Sequence, residues 1–173
     1  MKKVLILLAH PNFNEESKMN KTLLNKAKEL ENITVENLYE KYPDGKIDVE
    51  AEQKLILEND VVIFQFPLYW FSSPALLRQW QDDVLTYNFA FGEDYQLEGK
   101  TLAVATTMAG AEQTYIDTGI LVDDYLKPME GIAQYVKMDY AGAFKSYNSY
   151  VITDEELESD ALKYKEFLSN LQK

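Results

Sequence analysis

Residues 61–80 of this chain read VVIFQFPLYWFSSPALLRQW, so that an apolar run, an aromatic loop and an amphipathic helical pattern follow one another. The run VVIFQF is apolar on both faces, as expected of a parallel strand covered by helices on each side. The run VLILLA at residues 4–9 has the same character. Two such strands, each followed by helical periodicity, favour an α/β fold with a parallel sheet.

The same alternation of strand and helix continues along the chain. Strands are predicted at residues 3–9, 34–38, 61–66, 101–106 and 136–143, and helices at residues 18–30, 49–57, 74–86, 119–135 and 154–172. Thr153 and Glu156 form a capping box that predicts the start of the last helix. Five strands at this length predict one flavodoxin-like domain over residues 1–173. This domain is a three-layer α/β sandwich whose parallel sheet has the order 2-1-3-4-5, with helices on both faces.

Composition narrows the range of partners and compartments. The net charge of −12 opposes unspecific binding to nucleic acid and to anionic membrane surfaces. No apolar run approaches the roughly 20 residues that span a bilayer, and the short run after Met1 is interpreted as the first strand. The chain has no cysteine, which gives no support to a disulfide-dependent secreted fold and makes the cytoplasm the expected location. No metal site is predicted.

Ligands of such sheets bind at the carboxyl ends of strands 1, 3 and 4. The loop after strand 1, AHPNFNEESKMN at residues 9–20, contains neither a dinucleotide fingerprint nor a Walker motif. It instead offers His10, Ser17 and Asn20 beside a predicted helix start, where backbone N–H groups and the helix dipole favour phosphate. The alternative is that Ser17 only caps the helix and His10 is a turn residue.

The loop after strand 3 is aromatic. Tyr69, Trp70 and Phe71 lie between Pro67 and Pro74, and the two prolines stiffen a wall that suits a flat conjugated ligand. The serines at positions 72 and 73 are expected to cap the helix that starts at Pro74. The alternative is a hydrophobic loop that merely packs on the next helix.

The loop after strand 4, TTMAGAEQTY at residues 106–115, is small and contains a glycine. Gly110 lets the backbone approach the edge of a ring closely, and Tyr115 can donate its phenol proton to a ligand. A plain connecting loop with a surface tyrosine is the alternative. The three strand ends together predict an FMN site, although no single loop does so.

In these residues the chain resembles the flavodoxin-like NAD(P)H:quinone oxidoreductase family. That family includes the DT-diaphorase type, the bacterial modulators of drug activity and the ancillary flavoproteins of potassium-efflux systems. The resemblance rests on LAHPN with Ser17 and Asn20, on PLYWFSSPALLRQWQDDVL at residues 67–85, on FAFG and LEGKTL between residues 89 and 102, and on TTMAG with Tyr115.

The resemblance implies an FMN-dependent enzyme that passes two electrons from NAD(P)H to quinones or similar flat acceptors in a ping-pong cycle. It also implies a homodimer with the site at the interface, and a catalytic role for Tyr115 in proton and charge transfer. The positions that match cofactor contacts of the family are His10, Ser17, Asn20, Pro67, Leu68, Tyr69, Trp70, Phe71, Thr106, Thr107, Ala109 and Gly110.

Two positions depart from the family pattern. Ala109 replaces a glycine of the loop after strand 4, and Leu121 stands where the DT-diaphorase type has a catalytic histidine. A tyrosine–histidine relay is therefore excluded. The chain also lacks the C-terminal extension that helps larger members hold FAD, which favours FMN over FAD.

Two other functions stay open at this point. The resemblance equally implies a regulatory ancillary subunit with a membrane potassium-efflux partner, and the fold also serves flavodoxin-type electron carriers. A phosphoacceptor receiver domain shares the topology, but strand 3 here ends in Gln65-Phe66-Pro67 without an aspartate.

Overall fold

The computed structural model describes the backbone of residues 1–173 and every side chain in that range except that of Glu16. Its centre is one parallel sheet with the strand order β2-β1-β3-β4-β5. The strands are β1 (Val4–Leu8), β2 (Ile33–Asn37), β3 (Val61–Pro67), β4 (Thr101–Thr107) and β5 (Asp139–Ser146). The predicted flavodoxin-like topology is confirmed.

Helices cover both faces of this sheet. They are α1 (Phe13–Glu16), α2 (Lys18–Ala27), α3 (Leu38–Lys41), α4 (Val49–Leu57), α5 (Ala75–Val84), α6 (Glu112–Thr118), α7 (Val122–Tyr135) and α8 (Asp154–Leu171). One face packs against α2 and α8, and the other against α4, α5 and α7. None of the helices in the described chain is both long and apolar enough to cross a membrane.

The two-sided apolar character of the strands follows from this arrangement. In β1, Leu5 and Leu7 face the core beneath α5 and α7, whereas Val4, Ile6 and Leu8 face the core beneath α2 and α8. Successive side chains of a strand point to opposite faces, so a strand with helices on both sides needs apolar residues at every position.

Several predicted boundaries are wrong for local reasons. Residues 119–121 precede α7 rather than belonging to it, and the short α6 before them, which ends at Gly119 with φ +74°, was not predicted. Strand β5 starts at Asp139 instead of residue 136, because Val136 ends α7 and Lys137 adopts a left-handed φ of +59°. The short helices α1 and α3 were also missed.

The predicted helix caps have mixed outcomes. At α8 the capping box is confirmed, since the Glu156 N–H donates to Thr153 Oγ1 at 3.2 Å and the Thr153 N–H donates to Glu156 Oε2 at 2.9 Å. At α5 the prediction is wrong. That helix begins after Pro74 without any side-chain cap, and the backbone of Ser72 pairs with Tyr69 instead.

A fully buried carboxylate joins α4 to its neighbours. Glu52 accepts hydrogen bonds from Lys41 Nζ at 2.8 Å, Tyr42 Oη at 2.6 Å and Trp80 Nε1 at 2.9 Å. Three donors offset the cost of removing the charge from water. Burial, and then the neighbouring Glu52, raises the pKa of Tyr42 to about 12. Trp80 is a core residue.

Candidate functional site

A cavity of about 420 Å³ lies at the carboxyl ends of β1, β3 and β4. Most of the sequence-predicted cofactor residues line it, namely His10, Ser17, Asn20, Pro67, Leu68, Tyr69, Trp70, Thr107 and Ala109. The sequence did not assign four further lining residues, which are Lys18, Met19, Ser149 and Tyr150. The last two come from the loop between β5 and α8, which reaches the cavity only through the fold.

Ser17 is the most informative residue of the cavity. It occupies the N-cap position of α2, yet it makes no side-chain cap, and its φ of −101° and ψ of 64° lie outside the usual cap conformation. Its side chain is buried, and Oγ has no hydrogen-bond partner. A buried hydroxyl without a partner is costly, and at a helix N-terminus that lines a cavity a bound ligand could accept the missing bond.

His10 lines the same cavity and is 5 % exposed. The Asn12 N–H donates to His10 Nδ1 at 3.2 Å, which assigns the proton of a neutral ring to Nε2 as a donor. The ring makes edge-to-face contacts with Phe13 and Tyr69 at centroid distances of 6.2 and 6.1 Å. These contacts hold the imidazole between the loops that follow β1 and β3.

The aromatic loop after β3 forms a two-residue hairpin. Tyr69 and Ser72 exchange both backbone hydrogen bonds at 3.0 Å, and Trp70 and Phe71 between them have φ of +49° and +62°. Two left-handed residues in succession define a type I′ turn, which normally carries Asn-Gly. For L-residues with a side chain this conformation costs roughly 1–2 kcal/mol each. Trp70 is 93 % exposed, so burial of its ring in the described chain does not offset that cost.

Four predicted site residues do not line the cavity. Thr106 is fully buried on the face beneath α5 and α7, because the strand alternation that turns Thr107 into the cavity turns Thr106 away from it. Phe71 leaves the cavity and packs on Tyr125 with ring centroids 4.9 Å apart. Gly110 and Tyr115 do not line the cavity.

Tyr115 packs on the backbone of the loop after β4. A Cβ added to Gly110 would lie 3.4 Å from its ring, an ordinary van der Waals distance, so the ring lies directly beside this glycine. Its neighbours are Tyr125 and Tyr147, with ring centroids at 6.5 and 6.1 Å. Burial, and then the neighbouring Tyr125, raises the pKa of the Tyr115 phenol, which therefore stays protonated at neutral pH. Leu121 is exposed nearby and offers no titratable group.

The charge at the cavity mouth is locally balanced. Lys18 lines the cavity, and its Nζ lies 2.5 Å from Asp154 Oδ1 in an exposed ion pair. Such a pair contributes little to stability and is easily rearranged by a competing anion. The start of α2, Ser17 and Lys18 are therefore the groups that could hold an anion in a chain whose overall charge is −12.

A larger groove of about 640 Å³ runs between α2 and the edge strand β2. Its lysines are already engaged in part, since Lys21 Nζ donates to the Asn14 carbonyl and Lys41 pairs with Glu36 and Glu52. Neither β3 nor β4 contributes a lining residue, so the groove lies away from the strand ends that form the candidate site. The described residues contain no group of three side chains suited to a metal ion.

The family model for the flavodoxin-like fold matches residues 2–168, and the chain belongs to this family. A relative from Bacillus subtilis (strain 168), named as an uncharacterized NAD(P)H oxidoreductase, YrkL, is 39% identical over 96% of this chain and 97% of its own length. The glutathione-regulated potassium-efflux system ancillary protein KefF of Enterobacter sp. (strain 638) is 34% identical over 98% of this chain and 97% of its own length.

Two solved structures resemble this one closely. General stress protein 14 of Treponema denticola, crystallised in complex with FMN, is 39% identical and superimposes with a TM-score of 0.92 over 98% of this chain and 99% of its own. An NADPH-quinone reductase from P.pentosaceus is 29% identical, with a TM-score of 0.86 over 95% of this chain and 96% of its own.

Proposed function

We propose that this chain is an FMN-dependent NAD(P)H oxidoreductase whose flavin occupies the cavity at the ends of β1, β3 and β4. The observation that carries the proposal is the buried Ser17 hydroxyl, which has no partner in the protein and belongs to a residue that lines this cavity at the start of α2. The similarity to an NAD(P)H oxidoreductase and to a protein crystallised with FMN supports the same cofactor and reductant.

The residues present fit the phosphate and the flat rings of FMN. Ser17, Lys18 and the N–H groups at the start of α2 supply donors and positive potential for the phosphate. His10 lines the same cavity, and Thr107 adds a hydroxyl. Tyr69 and Trp70 form an aromatic wall of the cavity, and the slot is the space beside that wall.

When bound, FMN would supply the two-electron chemistry, taking a hydride from NAD(P)H and passing two electrons to an acceptor in a second half-reaction. The aromatic hairpin would orient the flat rings of the reductant and the acceptor in turn and exclude water from the slot. Tyr115, protonated and held against Gly110, would hold or donate a proton near that slot. Leu121 replaces the histidine of the DT-diaphorase type, so Tyr115 acts without a histidine partner at that position.

We propose a quinone or a similarly flat compound as the acceptor. A slot bounded by exposed aromatic residues favours planar conjugated molecules over extended polar ones. The similarity to an NADPH-quinone reductase supports this acceptor class. The absence of cysteine and the use of NAD(P)H fit a cytoplasmic location.

A homodimer is the proposed assembly, because apolar side chains remain exposed from the cavity mouth along α7. The exposed or half-exposed side chains on this helix face are Leu121, Tyr125, Pro128, Ile132 and Tyr135, spaced at helical intervals. Phe71 packs on Tyr125 and joins the hairpin to this stripe. An apolar stripe of this kind is typical of a surface that a second protein covers.

The test is an anaerobic titration of the purified protein, loaded with FMN, with NADPH and NADH while the visible absorption of the flavin is followed. Loss of the flavin bands on adding reductant, and their return on adding a quinone, is the expected result. Heat-released flavin compared with FMN and FAD standards identifies the cofactor. A protein that neither retains added FMN nor oxidises NAD(P)H would refute the proposal.

The similarity to KefF favours a second candidate, an ancillary subunit of a membrane potassium-efflux system. On that proposal the exposed α7 stripe would bind the efflux protein. Co-purification with such a partner, lost on substituting Tyr135 by serine while FMN stays bound, would favour this function over a free-standing enzyme.

A further inference from the structure

A continuous chain of side-chain hydrogen bonds lies directly beneath the cavity. Tyr164 Oη donates to Gln65 Oε1 at 2.9 Å, and Gln65 Nε2 donates to Asn20 Oδ1 at 3.1 Å. Asn20 Nδ2 then donates to Thr107 Oγ1 at 3.1 Å. Their exposed fractions are 0 % for Tyr164 and Gln65, 2 % for Asn20 and 5 % for Thr107. Only Asn20 and Thr107 line the cavity.

The fold by itself does not require these polar groups. Gln65 sits in β3, in the middle of the sheet, where the strand is otherwise apolar on both faces. Tyr164 lies in the apolar cluster of α2 and α8, with its ring 5.0 Å from that of Phe144. A phenylalanine at 164 and an aliphatic residue at 65 would fill the same positions without the cost of burying polar atoms.

The direction of this series of hydrogen bonds is determined at its buried end, at Tyr164. Reversal would require Gln65 to donate to the phenol, and the phenol proton would then be left in an apolar cluster. Burial raises the pKa of Tyr164, so its proton stays in place. Once Tyr164 donates, each amide can present only one orientation to the next residue. Thr107 Oγ1 therefore accepts from Asn20, which frees the proton of its own hydroxyl for another acceptor.

We propose that Tyr164 and Gln65 are positioning residues that, through Asn20, orient the Thr107 hydroxyl as a hydrogen-bond donor toward a flavin in the cavity. The inference rests on the proposed function and adds two residues that do not touch the cavity. It explains why a buried tyrosine on α8 is bonded to a glutamine in the central part of the sheet: together they set the donor pattern of the cofactor site.

A double-mutant cycle in FMN affinity tests the proposal, using the wild type, Tyr164→Phe, Thr107→Val and the double variant. Tyr164→Phe is expected to weaken FMN binding about three- to tenfold, the effect of one misoriented hydrogen bond. In the Thr107→Val background the same change should alter affinity less than about twofold, because the donor it orients is gone. An equal loss in both backgrounds would mean that Tyr164 acts only through packing, and would overturn the proposal.

Two further measurements separate this proposal from the proposed function. Tyr42→Phe removes another buried phenol hydroxyl, bonded to Glu52 away from the cavity, and should leave FMN affinity unchanged. In the flavin-free protein, exchange of the Asn20 side-chain amide protons, followed by NMR, should be about tenfold faster in Tyr164→Phe than in the wild type or Tyr42→Phe. An unchanged exchange rate of the Asn20 amide protons refutes the positioning role alone. A wild-type protein that binds no FMN refutes the proposed function and the positioning role with it.

Discussion

Replacing Ser17 by alanine separates a residue that binds a ligand from one that caps a helix. In the free protein the Ser17 hydroxyl has no hydrogen-bond partner, and α2 begins without a side-chain cap. Alanine therefore removes no bond from the free protein, and it removes a buried polar group that is otherwise unsatisfied. We expect the free energy of unfolding of the flavin-free variant to be unchanged or raised by up to about 1 kcal/mol.

The affinity for FMN should change in the opposite direction. A hydrogen bond to a charged group contributes about 1.5–3 kcal/mol, and about 1.4 kcal/mol corresponds to a factor of ten. Loss of the Ser17 hydroxyl should thus weaken FMN binding by roughly 10- to 150-fold. Urea unfolding of the flavin-free protein measures the first quantity, and fluorescence titration with FMN measures the second.

Asp48→Ala is the matched control, because Asp48 caps α4 in the way that Ser17 fails to cap α2. Asp48 Oδ1 accepts from the Ala51 N–H at 3.1 Å, away from the cavity. This variant should lose about 1 kcal/mol of stability, or about 2–4 °C in Tm, and keep its FMN affinity. The reasoning fails if Ser17→Ala behaves like Asp48→Ala, with lower stability and unchanged affinity.

Three other substitutions probe the proposed proton donor, the proposed assembly and the core. Tyr115→Phe keeps the ring on Gly110, so FMN affinity should stay within twofold while kcat for quinone reduction falls at least tenfold in steady-state assays. Tyr135→Ser, which alters a side chain that is 64 % exposed, should shift the proposed dimer toward monomer in sedimentation experiments, and an unchanged mass would exclude α7 from the interface. For the core, the pKa of Tyr42 is about 12 in the folded protein and near 10 in an unfolded chain. The contribution of protonated Tyr42 to the free energy of unfolding is therefore complete below pH 10 and is lost as the pH rises toward 12. Tyr42→Phe should cost about 1.5–3 kcal/mol at pH 8 and show a shallower alkaline decline in urea unfolding than the wild type.

The fold was accessible from sequence because its strongest signals are local and repeated. Runs such as VVIFQF, apolar at every position, indicate a strand with helices on both sides, and the helical periodicity between them supplies the crossovers. The errors fall where one or two residues decide the outcome. The left-handed φ of Lys137 delays β5, and Gly119 ends a helix too short for its periodicity to stand out.

The candidate site was predictable where residues adjoin strand ends, and less so where the fold brings distant segments together. Ser149 and Tyr150 line the cavity, although the loop that carries them follows the edge strand β5. The position of Thr106 was predictable from sequence, since strand alternation turns it to the face opposite that of Thr107. The role of Gln65 had a signal as well: it is the one amide within the apolar run VVIFQF.

The hairpin at Trp70 and Phe71 is the clearest conflict between local preference and fold. A type I′ turn favours Asn-Gly, and two bulky aromatic residues there together cost roughly 2–4 kcal/mol of backbone strain. The stacking of Phe71 on Tyr125 recovers only part of this, because an aromatic pair adds about 0.5–1.5 kcal/mol. Trp70, almost fully exposed, recovers still less. Strain that the free protein does not offset is expected at a binding site, where a ring stacked in the slot or a second subunit on α7 would supply the missing contacts.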